Sequence, residues 1–72
     1  MDLHDFLAGS LELLTLLEAI EERREAIVES IARLDTLSPG DGMRSLLFVR
    51  LREDQRVASA ALARAIELLE SF

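Results

Sequence analysis

Residues 38–42 read Ser38-Pro39-Gly40-Asp41-Gly42 and hold the only proline and two of the three glycines of the chain. Proline lacks a backbone N–H and glycine has no Cβ, so this cluster ends a helix and permits a turn. It falls near the middle of 72 residues. The chain therefore reads as two elements joined by one break.

Upstream of the break, apolar residues recur at intervals of seven: Phe6, Leu13, Ile20, Ile27 and Leu34. A second row, Leu3, Ser10, Leu17, Arg24 and Ile31, accompanies it. Two such rows are the a and d positions of a heptad, and the alternation of a strand is absent. The spacing predicts a helix over residues 3–35, capped by Asp2 and with Asp5 in its first turn. Gly9-Ser10 is its weak point, and a start at Ser10 is the alternative. Downstream, the rows are Leu47, Asp54, Ala61, Leu68 and Leu51, Ala58, Ala65, Phe72. They predict a helix over residues 42–70. Ser38 is a candidate cap with Pro39 in the first turn and Asp41 three places on, and Asp41 is the alternative cap. The expected fold is all-α. It is a two-helix antiparallel hairpin, coiled-coil-like, turning at residues 36–41 and forming a single domain over residues 1–72.

Folded about residues 38–41, facing positions should have numbers adding to roughly 79. Ile31 then meets Phe48, and Leu17 meets Leu62. Arg24 falls beside Asp54, each being the polar member of its own apolar row. An Arg24–Asp54 contact fixing the register is therefore expected. The alanines from Ala58 to Ala65 favour a close approach of the two helices as well as helix formation.

More apolar residues are present than one seam can hide. Leu3, Phe6, Leu7, Leu11, Leu14 and Leu17 on the first helix, with Val57, Leu62, Ile66 and Leu69 on the second, crowd the open end of the hairpin. An apolar sector wider than the seam marks a second packing surface. A chain of this length obtains only about 3–5 kcal/mol from its own core. With no cysteine and one histidine, neither disulfides nor a structural zinc site can supplement it. The expected supplement is assembly. A symmetric homodimer forming a four-helix bundle is the first form, and a larger helical protein receiving the apolar face is the second.

Other chemistry is poorly provided for. The glutamates at 18, 21, 22, 25 and 29 have helical spacing, but a carboxylate-bridged metal pair also needs Glu-x-x-His, and the one histidine is His4. His4 lies between Asp2 and Asp5 with no second histidine near it. No phosphate-binding loop occurs, and six serines share a single distant imidazole. No enzyme activity, metal, cofactor or small-molecule substrate is expected. The formal charge is −6, which suits a nucleic-acid partner poorly. Residues 1–35 carry nine acids and three arginines, whereas residues 38–64 carry three acids and five arginines. Two elements of opposite sign are expected to lie together. No stretch is apolar enough to span a membrane, and the Met-Asp-Leu-His-Asp start has no basic segment. A cytoplasmic location follows as the expectation.

In outline the chain is similar to the small co-chaperones of bacterial type III secretion. The likeness lies in length, a central breaker and an alanine-rich second helix ending Ala65-Ile66-Glu67-Leu68-Leu69. It implies a short helix-loop-helix bound to a larger helical partner. The functional expectation is a non-catalytic protein–protein interaction module, a small adaptor, co-chaperone or assembly factor acting through apolar helix faces. The alternative is a small regulator that binds nucleic acid, or a DNA-binding protein, through the arginines of the second helix at 44, 50, 52 and 56.

Overall fold

Asp2 starts the first helix. Its carboxylate accepts the Asp5 backbone N–H at 2.8 Å, satisfying one of the donors that a helix N-terminus leaves open. The computed structural model describes residues 2–72. In it α1 runs Leu3–Thr36 and α2 runs Met43–Ser71. Gly9-Ser10 does not interrupt α1. Glycine in a helix interior costs only about 1 kcal/mol, and the helix on both sides carries it. The two helices pack against each other as a hairpin with extents of 57 × 14 × 13 Å.

The turn is built differently from the expected Ser38 cap. Residues 38–41 form a turn closed by the Asp41 N–H on the Ser38 carbonyl at 3.0 Å. Asp41 then takes over the start of α2. Its side chain accepts from Met43 N at 2.9 Å, and its carbonyl accepts from Arg44 N at 3.1 Å. The N-cap residue of α2 is Gly42, which has no side chain to cap with, so neither Ser38 nor Asp41 occupies the cap position; Asp41 supports the helix start from one place before it. Arg44 ties the turn from the other side. Its Nη1 donates to the Leu34 and Leu37 carbonyls at 3.2 and 3.4 Å, the first of which also accepts the Leu37 N–H that closes α1. The guanidinium also lies 5.8 Å from the centre of the Phe48 ring.

Three cross-hairpin contacts set the register: Phe6 with Phe72, Glu12 with Arg64, and Arg23 with Asp54. On α2 the inward rows are those the heptads indicate, with Leu47, Asp54, Ala65 and Leu68 buried. On α1 the row of Leu13, Ile20, Ile27 and Leu34 also faces inward. Its companion row differs from the expected one. Gly9, Leu16, Arg23, Ser30 and Leu37 turn inward, while Leu3, Leu17, Arg24 and Ile31 are exposed. The register puts large residues level with small ones along the seam: Leu68 by Gly9, Leu13 by Ala65, Leu16 by Ala61, Ile20 by Ala58, and Leu47 by Ser30. Leu47 is 1% exposed and Ser30 6%. Small residues on one helix admit large ones from the other, and this favours the row that carries Gly9 and Ser30.

Gly9 also tests the packing at the open end. A Cβ there would stand 2.8 and 3.1 Å from the Phe72 ring atoms Cε1 and Cζ. That ring is 47% exposed, and these two atoms are at its far end, so it can swing aside. Gly9→Ala is expected to stabilise the fold by about 0.5 kcal/mol in the natural background, the helix-propensity gain less the disturbed Phe6–Phe72 packing. The gain should approach about 1 kcal/mol when Phe72→Ala removes the ring. Chemical denaturation of the two pairs of variants measures both, and equal gains would show that Phe72 does not press on Gly9.

Candidate functional site

The hairpin has two unlike flanks, and the seam decides which residue faces which. Residues one place before the inward rows of Leu13 and Ala65 lie on one flank. They include Glu12 and Arg64, joined at 2.8 Å, and Arg64 also reaches Glu67 at 3.2 Å. One heptad from Glu12 and Arg64, Ala19 and Val57 continue this flank and are half-buried. Val57 therefore lies away from the other α2 residues expected to form an interface. Its partial burial within the hairpin accounts for its apolar character.

The opposite flank holds residues one and four places after the same rows. On α1 these include Leu7, Leu14, Leu17, Val28 and Ile31, and on α2 Phe48, Leu62, Ile66 and Leu69, all exposed. Leu3 is 73% exposed at its open end, and Leu11, at its outer margin, is 67% exposed. Phe6 sits at the edge of the seam, its ring 5.5 Å from that of Phe72. The buried hydrophobic set, by contrast, is Leu47, Ala65 and Leu68. A concavity on the apolar flank spans both helices near the turn and is lined by Ile27, Phe48, Leu51, Arg52 and Gln55. Midway along, Glu21, Arg24, Arg52 and Gln55 form a polar belt. Glu21 and Arg24 pair along α1 at 2.7 Å.

Within the seam, Asp54 is 7% exposed and is held by Arg23 Nη1 at 2.7 Å. The expected partner, Arg24, is turned outward onto Glu21. The two arginines are adjacent and each belongs to a row with heptad spacing. The inward rotation of Gly9 and Ser30 selects Arg23. The arginines weighed for nucleic-acid contact are dispersed. Arg44 closes the turn, Arg56 pairs with Glu53 at 2.6 Å, and Arg50 lies on the flank of Arg64. At the N-terminus, Asp2, His4 and Asp5 bring ligand atoms within 4.8 Å of one another. All three are exposed, and the Asp2 carboxylate already serves as the helix cap. Among the described residues no helix is long and apolar enough to cross a membrane. No family model matches the chain, and neither a curated protein nor a solved structure matches it.

Breaking the seam pair from one side leaves a carboxylate buried without its counter-charge. Arg23→Met is expected to cost about 1–3 kcal/mol, within the range for an unsatisfied buried polar group. The double variant Arg23→Leu, Asp54→Leu should recover most of that loss. Arg24→Ala should leave the unfolding midpoint close to that of the natural chain, because its pair is exposed. A double-mutant cycle in which Asp54 couples to Arg24 and not to Arg23 would overturn this assignment.

The exposed ion pairs predict a pH dependence. The Glu12 carboxyl is held below its usual range first by hydrogen bonding to Arg64 and then by the nearby positive charge, and Arg24 acts in the same way on Glu21. A carboxyl whose pKa is lower folded than unfolded stabilises the fold above its unfolded pKa. That contribution is lost as pH falls through the folded value. Glu12→Gln should therefore melt below the natural chain at pH 7. The two curves should converge in acid, below the ordinary glutamate pKa of about 4.3. A difference that persists unchanged at low pH would show that the ion pair is not its source.

Proposed function

We propose that the chain is a non-catalytic protein–protein interaction module acting through the apolar flank of the hairpin, with a symmetric homodimer, a four-helix bundle, as its assembled form. The observation that carries this reading is the imbalance between seam and flank. Among the described residues three hydrophobic ones are buried, while leucines and isoleucines from both helices stand about half exposed or more on one side. Apolar area of that kind, continuous over two helices, gains about 25 cal/mol for each Å² that a partner covers. The flank residues are aliphatic and aromatic side chains, suited to contact rather than to acid–base or nucleophilic work. The polar flank, with Glu12, Arg64 and Glu67, stays toward water.

Sedimentation equilibrium tests the reading. The natural chain is expected at twice its mass of 8.1 kDa. Leu14→Glu combined with Leu62→Glu is expected to return it to monomer. Both positions are more than half exposed in the hairpin, so without a partner each change should cost no more than about 0.5 kcal/mol. A natural chain that stays monomeric, soluble and fully helical at all concentrations would sink the proposal. A monomer that precipitates or loses helicity on its own would point instead to a larger helical partner on the same flank.

A further inference from the structure

The geometry points to a second copy of this chain docked on the apolar flank with both turns at the same end, so that α1 of each copy lies over α2 of the other. The inference rests on the self-association proposed above and adds the orientation. The area is sufficient. One side of a body 57 Å long and 14 Å wide offers about 800 Å², the share of one partner in a standard interface. The charge is also suited to self-docking. The chain carries −6, but the rows forming this flank contain only Glu21, Arg24, Asp35 and Arg52, two of each sign. A second copy can therefore cover the flank without gathering like charge.

A face-to-face twofold pair has two simple orientations. With the axis across the hairpin, α1 lies over α1, and Glu21, the acid of this flank nearest mid-length, meets its own copy. Like charges so placed cost free energy at an interface. With the axis along the hairpin, Glu21 instead lies over α2 of the other copy, within about one helical turn of Arg52. Arg52 makes no ion pair among the described residues, so it is available to Glu21 across the interface. This orientation also superposes like regions. The leucine-rich open ends meet each other, and the polar belts come together at mid-length, where Gln55 lies level with Arg24. The belt then fixes the alignment of the copies, as Arg23 and Asp54 fix the alignment of the helices.

The chain has no cysteine, so single thiols report orientation without interference. Ser10→Cys and Ile31→Cys place one thiol on the inner row of the flank, near the open end and near the turn respectively. Each variant, shown by circular dichroism to remain helical, is treated with a short bis-maleimide, alone and mixed with the other. The expected result is a covalent dimer from each variant alone, with no Ser10–Ile31 heterodimer in the mixture, since the two positions lie about 30 Å apart along the helix. Cross-linking only in the mixture would establish the crosswise orientation and overturn the inference while leaving self-association intact. A species of twice the chain mass that cross-links in no combination would remove this flank as the docking surface. A monomer by sedimentation with no cross-link would take the self-association reading with it.

Discussion

Two helices lying side by side can each hide only one stripe of their surface, and the rest of this structure follows from that limit. A helix in a larger bundle has neighbours on two or three sides. Here each helix has one. The seam is narrow, it is lined on α2 by Ala58, Ala61 and Ala65, and its buried hydrophobic residues are Leu47, Ala65 and Leu68. The leucines that α1 carries beyond its seam rows have no place inside the hairpin. Their exposure arises from the topology, and turning α1 about its axis toward Leu17 would bury that residue only by exposing Leu16 and Leu37 of the present seam.

The polar pair inside the seam gives the hairpin its alignment. An ion pair removed from water contributes little net stability against apolar residues of the same volume, but a pair broken on one side is costly. Slipping α1 by one turn in either direction would take Arg23 away from Asp54 and set the buried carboxylate among aliphatic side chains, level with Ile20 or Ile27. The alanine-rich part of α2 offers little such discrimination, because one alanine packs much like the next. Arg23 and Asp54 supply it at mid-length, Glu12 and Arg64 near the open end, and Arg44 on the carbonyls of α1 at the turn.

The break at residues 38–42, both helices and the inward rows of α2 were legible in the sequence because each has a strong local cause: proline and glycine at the turn, and heptad spacing on either side. The inward face of α1 was only half legible. The row of Leu13, Ile20 and Ile27 has two neighbouring rows, one through Leu17 and Arg24 and one through Leu16 and Arg23. Hydrophobicity favours the first. It misleads here because apolar residues mark two surfaces in this chain, and the more apolar row belongs to the outer one. The signal that separates them is size. Gly9 and Ser30 lie level with Leu68 and Leu47, so the two helices fit only with the smaller row inside. The i, i+3 spacing of Glu21 and Arg24 was a second sign that Arg24 is occupied along its own helix. The start of α2, with Gly42 at the cap and Asp41 bonded to Met43 from one place before the cap, depended on how many residues the turn consumes, which spacing alone does not fix.

Net charge bears on solubility and encounter rather than on which surface is covered. At physiological ionic strength exposed charges are screened over about 8 Å, so the acids on the outer faces of α1 act weakly across a docked surface. What a partner meets is the local composition of the flank, where two acids and two arginines cancel. The six excess negative charges lie elsewhere on the hairpin. An acidic chain with a neutral apolar side repels its copies at a distance and resists unspecific clustering. It still leaves one surface on which close approach carries no penalty of like charge. The placement of charge, more than its sum, makes that flank the side to be covered.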